Sequence, residues 1–402
     1  MKNTLLSLII LLLSSCESTD KKEIPQKELS WNEIETDAKG NTVTWIMWQG
    51  DMLINNYVNN YVVPTVKKLY NIDLKVISGQ GSEIVTTLMT EIEALKTESA
   101  FDMMWINGET FFQLRQINAL YGPFTDKLPN NSYIDWKNPF INTDFQQAVN
   151  GLECPWGNVQ LSVIYNSTTI SEPPNNLVDL ENWVKKNPGK FTFSNDFTGM
   201  TLLKSWLIHF AGDRNALNGN FDEQKYQAAS KQLWKYVQRI QPFLWKKGET
   251  FPNASAQQHQ LFANGEIWFT MSNNDCDVDN KIAEGLFPPT SKAFVFESGT
   301  IQNSHYIGIV KHSKNANAAM VVANFLISPE AQYKKMQPAV WGDATVLDIP
   351  SLPSDWQQKF AAIPGRVNAP KREEINQKAL MEPAPEYMVR LFEDFRKEII
   401  EK

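Results

Sequence analysis

Three strand-like runs near the start of the chain each end at a polar corner that contains glycine and leads into a helical pattern. The runs lie at residues 42–48, 72–77 and 101–106, and the corners that close them are Gln49-Gly50-Asp51, Gly79-Gln80-Gly81 and Asn107-Gly108-Glu109. Strands that alternate with helices indicate βαβ units, in which helices cover both faces of a parallel sheet. The spacing therefore predicts an α/β fold class.

Local signals predict where several helices begin or break. A helical stretch runs from Leu53 to Leu69, and Pro64 is expected to kink or break it because proline lacks the N–H that a helix interior uses. Ser82 is the expected N-cap of the next helix. Ser328-Pro329 predicts another helix start, with serine as the N-cap and proline at the first helical position.

The order of the elements also predicts a binding site. In open α/β sheets, ligands bind outside the carboxyl ends of the strands. Glycine there lets the backbone approach a ligand closely, and helix N-termini present free N–H groups. One such corner alone is explained as well by turn and capping residues, but two aromatic-flanked corners favour a pocket. The candidate residues are Trp48, Gly50, Asp51, Trp105, Asn107 and Glu109.

The N-terminus indicates export. Leu5–Leu13 is apolar but too short for a membrane-spanning helix of about 20 residues, and small residues lead from it to Cys16. The pattern resembles a bacterial lipobox, which implies a signal peptide at residues 1–15 and a lipid anchor on Cys16, facing the periplasm or the exterior. An ordinary signal peptide with a coincidental cysteine is the alternative. Polar residues follow, and residues 16–40 are assigned to a flexible tether.

Composition narrows the class of protein further. About 385 residues remain after cleavage, which predicts two domains. A net charge of −7 without a basic run argues against a nucleic-acid partner. Cys154 and Cys276 are not part of a CxxC motif, and two buried thiols are favoured over one disulfide. No two of the four histidines are spaced i,i+4, so no metal site is predicted.

Four of the thirteen tryptophans occupy unusual positions. Most tryptophans are expected to pack in cores and interfaces. Trp48, Trp105, Trp156 and Trp341, however, each lie beside Gly, Asn or Asp near a strand end or loop. Apolar rings beside turn residues and polar groups suit the wall of a pocket.

Six short motifs are distributed along residues 43–347. They are Trp48-Gln49-Gly50-Asp51, Trp105-Ile106-Asn107-Gly108-Glu109, Tyr121-Gly122-Pro123-Phe124, Pro155-Trp156-Gly157, Asp196-Phe197-Thr198-Gly199 and Pro338-Ala339-Val340-Trp341-Gly342-Asp343. Together they resemble the extracellular solute-binding proteins of ABC importers, in particular a YnjB-like branch related to thiamine-, iron- and polyamine-binding proteins. Gln49 departs from the pattern, because a second small residue is expected there.

The resemblance implies a two-lobed periplasmic-binding-protein-like fold of type II, with the ligand cleft between lobes that two crossing strands join. The crossings are expected near residues 151–165 and 299–310. The implied domains are lobe 1 at residues 41–150 plus 304–350, lobe 2 at residues 151–303, and a C-terminal helical segment at residues 351–402 that packs on the lobes.

The implied function is solute capture without a cofactor, not catalysis. A monomer closes on a small-molecule solute, and the closed form docks on an ABC permease and ATPase complex. The solute must contact both lobes to favour closure. The expected contacts are Trp48, Gly50, Asp51, Trp105, Asn107, Glu109 and Trp341 in lobe 1, and Trp156, Asp196, Thr198, Asn273 and Asn274 in lobe 2.

Tryptophan rings beside carboxylates favour an organic cation such as thiamine, since cation–π attraction is worth about 0.5–2 kcal/mol per ring. Sugars and oxyanions stay open as ligands.

The alternative class is a lipid-anchored hydrolase in which Asp51 and Glu109 act as a glycosidase pair about 5–9.5 Å apart, although no G-x-S-x-G elbow is present. A non-transporting receptor lipoprotein on the same fold is the third alternative.

Overall fold

The structure, a computed structural model, describes residues 29–401. The predicted signal peptide, Cys16 and the first part of the predicted tether lie outside the described residues. The strands are β1 (Thr42–Met47), β2 (Asp73–Ser78), β3 (Met103–Ile106), β4 (Thr143–Asp144), β5 (Gln147–Ala148), β6 (Glu153–Gln160), β7 (Ser162–Asn166), β8 (Phe269–Ser272), β9 (Ser291–Phe294), β10 (Thr300–Ile309) and β11 (Ala379–Leu380).

The α-helices lie before, between and after these strands. They are α1 (Trp31–Ala38), α2 (Met52–Tyr57), α3 (Val63–Tyr70), α4 (Gly81–Glu93), α5 (Gly108–Gln116), α6 (Pro139–Asn142), α7 (Leu177–Lys186), α8 (Phe197–Phe210), α9 (Glu223–Ile240), α10 (Ser255–Ala263), α11 (Asp277–Ala283), α12 (Ala316–Leu326), α13 (Pro329–Met336), α14 (Ser354–Ala361), α15 (Arg372–Asn376) and α16 (Pro385–Phe395). None of the helices in residues 29–401 is long and apolar enough to cross a membrane.

The main sheet has the strand order β11-β10-β3-β1-β2, and β6 also pairs with β10. β1 runs parallel to both β2 and β3, as the βαβ pattern predicts. β10 runs antiparallel to β3, which makes the sheet mixed. Because β1, β2 and β3 are parallel, the polar corners at their carboxyl ends lie along one edge of the sheet.

Two groups of buried apolar side chains define two lobes. Lobe 1 is built around the main sheet, and its core includes Trp45, Phe111 and Val322. Lobe 2 is built around a three-stranded antiparallel sheet, β8-β7-β9, and its core includes Trp206 and Phe269. The α/β class and the two-lobed architecture are therefore confirmed.

β6 and β10 are the crossing strands. They pair antiparallel over most of their length, from Glu153 opposite Gly308 to Gln160 opposite Gln302. β6 continues into β7, which lies in the sheet of lobe 2, and β10 returns the chain from lobe 2 to the main sheet. Both crossings lie where the resemblance places them.

The C-terminal segment makes a third crossing, which the sequence did not indicate. Leu352 and Phe360 pack in the core of lobe 1. Further along, Ala369 packs in a small cluster of lobe 2, and Tyr387 and Leu391 of α16 are wholly buried in the main core of lobe 2. The end of the chain therefore completes the core of lobe 2 and does not lie only on the outside of the lobes.

The tether prediction is wrong for the residues just before β1. Residues 31–38 form α1, where Ser30 accepts a hydrogen bond from the Glu33 amide and Glu33 accepts one from Ser30. Such a capping box satisfies backbone groups that a helix start leaves free. Ile34 and Ala38 are buried in the core of lobe 1, so the folded body begins about ten residues earlier than the predicted Asn41.

Two helix details also differ from the sequence prediction. The predicted break near Pro64 is a five-residue π-helical segment, Val58–Val62, after which Pro64 lies in the first turn of α3. α4 begins at Gly81, and its start is stabilised by a hydrogen bond of 2.9 Å from the Gln80 amide to the Glu83 carboxylate. Ser82 is therefore not its N-cap.

The two cysteines of the folded body are separate thiols. Cys154 lies in the core of lobe 1 and Cys276 lies in lobe 2, and both are buried and free. The interpretation as two thiols is confirmed. Burial raises the pKa of Cys276 to about 12, so this thiol is protonated at neutral pH.

Candidate functional site

The carboxyl edge of the main sheet faces lobe 2, and its first corner is already engaged. Asp51 is the N-cap of α2, and one of its oxygens accepts hydrogen bonds from the amides of Leu53 and Ile54 at 2.9 and 3.0 Å. Its other oxygen accepts a hydrogen bond of 2.7 Å from Lys281 of lobe 2. Asp51 therefore connects the lobes directly.

Lys281 is surrounded by acidic groups. It lies 3.7 Å from Asp277 and 3.2 Å from Glu284, besides its contact with Asp51. Burial alone would lower the pKa of Lys281, but these carboxylates outweigh burial and raise the pKa above its usual range. The ammonium is therefore charged at neutral pH, and it holds the two lobes together at this corner.

The second corner, at the end of β3, has polar groups that are not engaged. Trp105, Asn107 and Glu109 are all half-buried. No hydrogen bond or ion pair within residues 29–401 involves the indole N–H of Trp105, the side-chain amide of Asn107 or the carboxylate of Glu109. Desolvation raises the pKa of Glu109, and the charge of Lys204 in lobe 2 opposes that rise. This corner therefore presents a donor, an amide and a carboxylate to the space between the lobes.

Aromatic side chains form the floor beneath this corner. The ring of Trp105 lies 5.0 Å from Trp156, 4.9 Å from His305 and 5.9 Å from Trp341, measured between centroids. Trp341 is stacked on His305 at 5.5 Å. Trp156 and Trp341 are 0% and 2% exposed, so of these tryptophans only Trp105 is open to the cleft. Trp156 packs in the core of lobe 1, so its predicted place among the lobe 2 contacts is wrong.

A buried polar chain supports this floor. His305 lies 3.0 Å from Asp343, which also accepts a short hydrogen bond from Lys335. Burial would raise the pKa of Asp343, but Lys335 and His305 outweigh it and lower that pKa. A Cβ on Gly157 would overlap with both His305 and Asp343, so glycine is needed there.

The sequence did not single out His305 or Lys335, because no local pattern shows that both contact Asp343, which lies 38 and 8 residues further along the chain. Of the three residues in this polar chain, only Asp343 lies in a motif on which the resemblance rests, so only Asp343 could have indicated the chain from sequence. The outermost predicted ring, Trp48, is 38% exposed and packs over the backbone of Gly50, where a Cβ would overlap with the indole.

The predicted residues of lobe 2 are mostly engaged in local hydrogen bonds. Asp196 is the N-cap of α8 and accepts from the amides of Thr198 and Gly199. Asn273 donates to the hydroxyl of Thr198 at 3.1 Å. Asn274 donates to the carbonyl of Trp341 at 3.4 Å and so contacts lobe 1. These residues shape the wall opposite the second corner.

A buried lysine that the sequence did not single out lies in the same wall. Lys204 is wholly buried and makes an ion pair of 2.6 Å with Glu382. Its ammonium lies 4.5 Å from the ring centre of Phe145 and 5.1 Å from that of Phe197. Phe145 in turn packs so closely against Gly108 that a Cβ there would overlap with its ring.

Two further buried acids lie behind this lysine. Glu153 is 0% exposed and Asp144 is 2% exposed, and three of their carboxylate oxygens have no hydrogen-bond partner within residues 29–401. Burial, followed by the charge of Glu382, raises the pKa of Asp144 well above its usual range. Burial and the nearby Asp144 do the same to the pKa of Glu153.

Comparison with known proteins identifies the family of this two-lobed structure. The family model for bacterial extracellular solute-binding proteins matches residues 61–363, about three quarters of the chain. The chain belongs to this family. Protein YnjB of Escherichia coli strain K12 is 37% identical over 334 residues, which cover 82% of this chain and 86% of that protein.

Solved structures of lower identity share the fold of this solute-binding protein. The TpPotD lipoprotein of Treponema pallidum aligns with a TM-score of 0.65 at 12% identity, covering 90% of this chain and all of that chain. A protein described as a putative spermidine/putrescine ABC transporter from Listeria monocytogenes aligns with a TM-score of 0.60 at 16% identity, covering 89% and 99% of the two chains.

The geometry weighs against the glycosidase alternative. That mechanism needs two carboxylates that are free to act on opposite sides of a glycosidic bond. Asp51 uses one oxygen to cap α2 and the other to bind Lys281, so it is not available as a nucleophile or base. Of the proposed pair, only Glu109 remains free to act on a ligand.

Proposed function

We propose that this solute-binding protein captures a small organic cation in the cleft between its lobes and delivers it to an ABC importer. One observation carries the proposal. Three of the predicted ligand residues, Trp105, Asn107 and Glu109, are half-buried between the lobes and leave their polar groups unengaged within residues 29–401. Half-buried polar groups without partners are costly unless a ligand or water completes them.

The chemistry of this corner suits a cation. A carboxylate attracts positive charge, and the face of a tryptophan ring adds cation–π attraction of about 0.5–2 kcal/mol. Glu109 supplies the carboxylate and Trp105 the ring, while the amide of Asn107 can orient a polar substituent. Because the two other predicted carboxylates, Asp51 and Asp196, are engaged, recognition of positive charge falls to Glu109.

Capture is proposed to work by closure of the lobes. The ligand would bind the second corner of lobe 1, and the lobe 2 wall with Phe197 and Thr198 would then cover it. Closure of this kind requires that the ligand contact both lobes. Glu109 is within electrostatic reach of Lys204 in lobe 2, which supports a site that both lobes line.

The partner and the anchor are part of the same proposal. The ABC permease is inferred from the family and from neighbours whose descriptions name ABC transporters. A lipid on Cys16 would confine a monomeric receptor near its transporter and raise the effective concentration of one for the other. Loss of labelled palmitate from the Cys16→Ser variant would test the anchor separately.

The ligand itself is tested with the protein lacking residues 1–16. Mass spectrometry of small molecules released from the purified protein should show an organic cation, and calorimetry should show binding of thiamine, choline or a polyamine. Glu109→Gln should weaken the binding at least tenfold. Glu93→Gln, an exposed glutamate on α4, is the matched control and should leave it unchanged. Absence of binding for every organic cation would contradict the proposal.

A further inference from the structure

The net charge of the groups around the second corner limits how many positive charges a ligand can carry there. Glu109, Glu382 and Lys204 meet where α5, α8 and the third crossing come together. Lys204 cannot move away from this position, since it is wholly buried, paired with Glu382 at 2.6 Å and covered by the rings of Phe145 and Phe197. A second ligand ammonium in the cleft would therefore meet a fixed positive charge.

Asp144 and Glu153 do not add negative charge at neutral pH. Three of their oxygens are buried without any hydrogen-bond donor within residues 29–401, which an ionised carboxylate does not tolerate. The upward shifts of both pKa values agree with this geometry. The charge of Arg115 opposes the rise in the pKa of Glu153, but Arg115 is exposed and its charge is screened by solvent.

The net charge of the second corner matches a ligand with one positive charge. The Asp196 carboxylate in the same wall accepts hydrogen bonds from the amides of Thr198, Gly199 and Ser255, and the N-termini of α8 and α10 offset its charge. Of the remaining groups, Glu109 and Glu382 supply two negative charges and Lys204 supplies one positive charge, so one negative charge is uncompensated. We infer that the cleft selects ligands with one cationic centre over dications and polycations, and that Lys204 is the residue that sets this specificity. The inference rests on the proposed function and adds to it the charge of the ligand.

The test compares cations of different charge by calorimetry at one ionic strength. Thiamine and choline are the probes with one positive charge, and putrescine and spermidine are the probes with two and three. For the unmodified protein, the Kd of the better singly charged probe should be at least tenfold lower than that of either polyamine. This ratio does not depend on any variant being folded.

Three variants test the charge count itself. Lys204→Met keeps the apolar stem and removes the fixed charge, so the preference for one charge should fall at least tenfold. The double variant Lys204→Met with Glu382→Gln restores the net charge of the cleft and should restore the preference. Glu109→Gln leaves no net charge and should weaken the singly charged probe. Circular dichroism confirms that each variant is folded.

Each other outcome overturns a different statement. If spermidine or putrescine binds the unmodified protein as tightly as the singly charged probes, the inference is wrong while the proposed function stands. The same holds if folded Lys204→Met keeps the original preference. If no probe binds, the proposed function fails and the inference fails with it.

Discussion

Buried acids whose pKa values are raised make the stability of this protein depend on pH. Glu153 begins β6, and neither of its carboxylate oxygens has a hydrogen-bond partner within residues 29–401. A buried acid whose pKa is raised binds more protons in the folded state than in the unfolded state. Its contribution to stability is therefore complete below the unfolded pKa of about 4.3 and is lost as the pH rises through the folded value.

We expect Glu153→Gln to stabilise the protein at neutral and alkaline pH. The neutral amide keeps the size of the side chain and needs no proton. The free energy of unfolding should rise by about 1–3 kcal/mol at pH 8, and the difference should shrink toward pH 4. Urea unfolding at several pH values measures it. A variant that is less stable at pH 8 would show that Glu153 has an ionic partner.

Residue types and spacing predicted the second corner, but not the state of each residue in it. The sequence grouped Asp51, Glu109 and Asp196 as equivalent carboxylates. In the structure Asp51 and Asp196 cap helices and only Glu109 is free. The difference is whether backbone amides of the first helical turn donate to the carboxylate. Lys204 was not predictable, because its partner Glu382 lies on a segment far away in sequence.

At the scale of elements, the strand-like runs predicted β1, β2 and β3 well, and β6 lies within the crossing expected near residues 151–165. From sequence alone, Pro155 and Gly157 look like strand breakers. Both lie inside β6, whose one strand partner within residues 29–401 is β10 and whose other edge makes a single bridge, from Asn158 to Ala344. A proline is tolerated in such an edge strand because its missing N–H is not needed by a second neighbour.

The terminal helix α16 offers a direct test of the third crossing. Leu391 is wholly buried in the core of lobe 2, whereas Val389 on the same helix is 42% exposed. Leu391→Ala should lower the free energy of unfolding by about 2–5 kcal/mol, as expected for a cavity in a packed core. Val389→Ala is the matched control and should cost less than about 1 kcal/mol.

Chemical unfolding of the two variants gives both values. Similar small losses would mean that α16 merely covers lobe 2. The expected large difference would instead show that residues after the crossing are needed to complete the fold of that lobe.

At the scale of the whole molecule, direct contacts between the lobes oppose opening. Lys281 of lobe 2 binds Asp51 of lobe 1 at 2.7 Å, and Asn280 donates to the carbonyl of Trp341 at 2.7 Å. These contacts lie beside the second corner and involve only groups of the protein. If the lobes close on a ligand as proposed, these contacts would favour the closed arrangement even before a ligand adds its own contacts.

The Asp51→Asn variant isolates the contribution of this ion pair to closure. Asparagine still caps α2 through its side-chain oxygen, but it loses the charge that holds Lys281. We expect the variant to populate the open state more, with a larger radius of gyration in X-ray scattering of the ligand-free protein. Asp51→Ala, which also loses the cap, should open similarly and lose about 1 kcal/mol more stability. If the scattering of Asp51→Asn equals that of the unmodified protein, the closed arrangement depends on the remaining contacts, and the Asn280 bond to Trp341 becomes the one to remove.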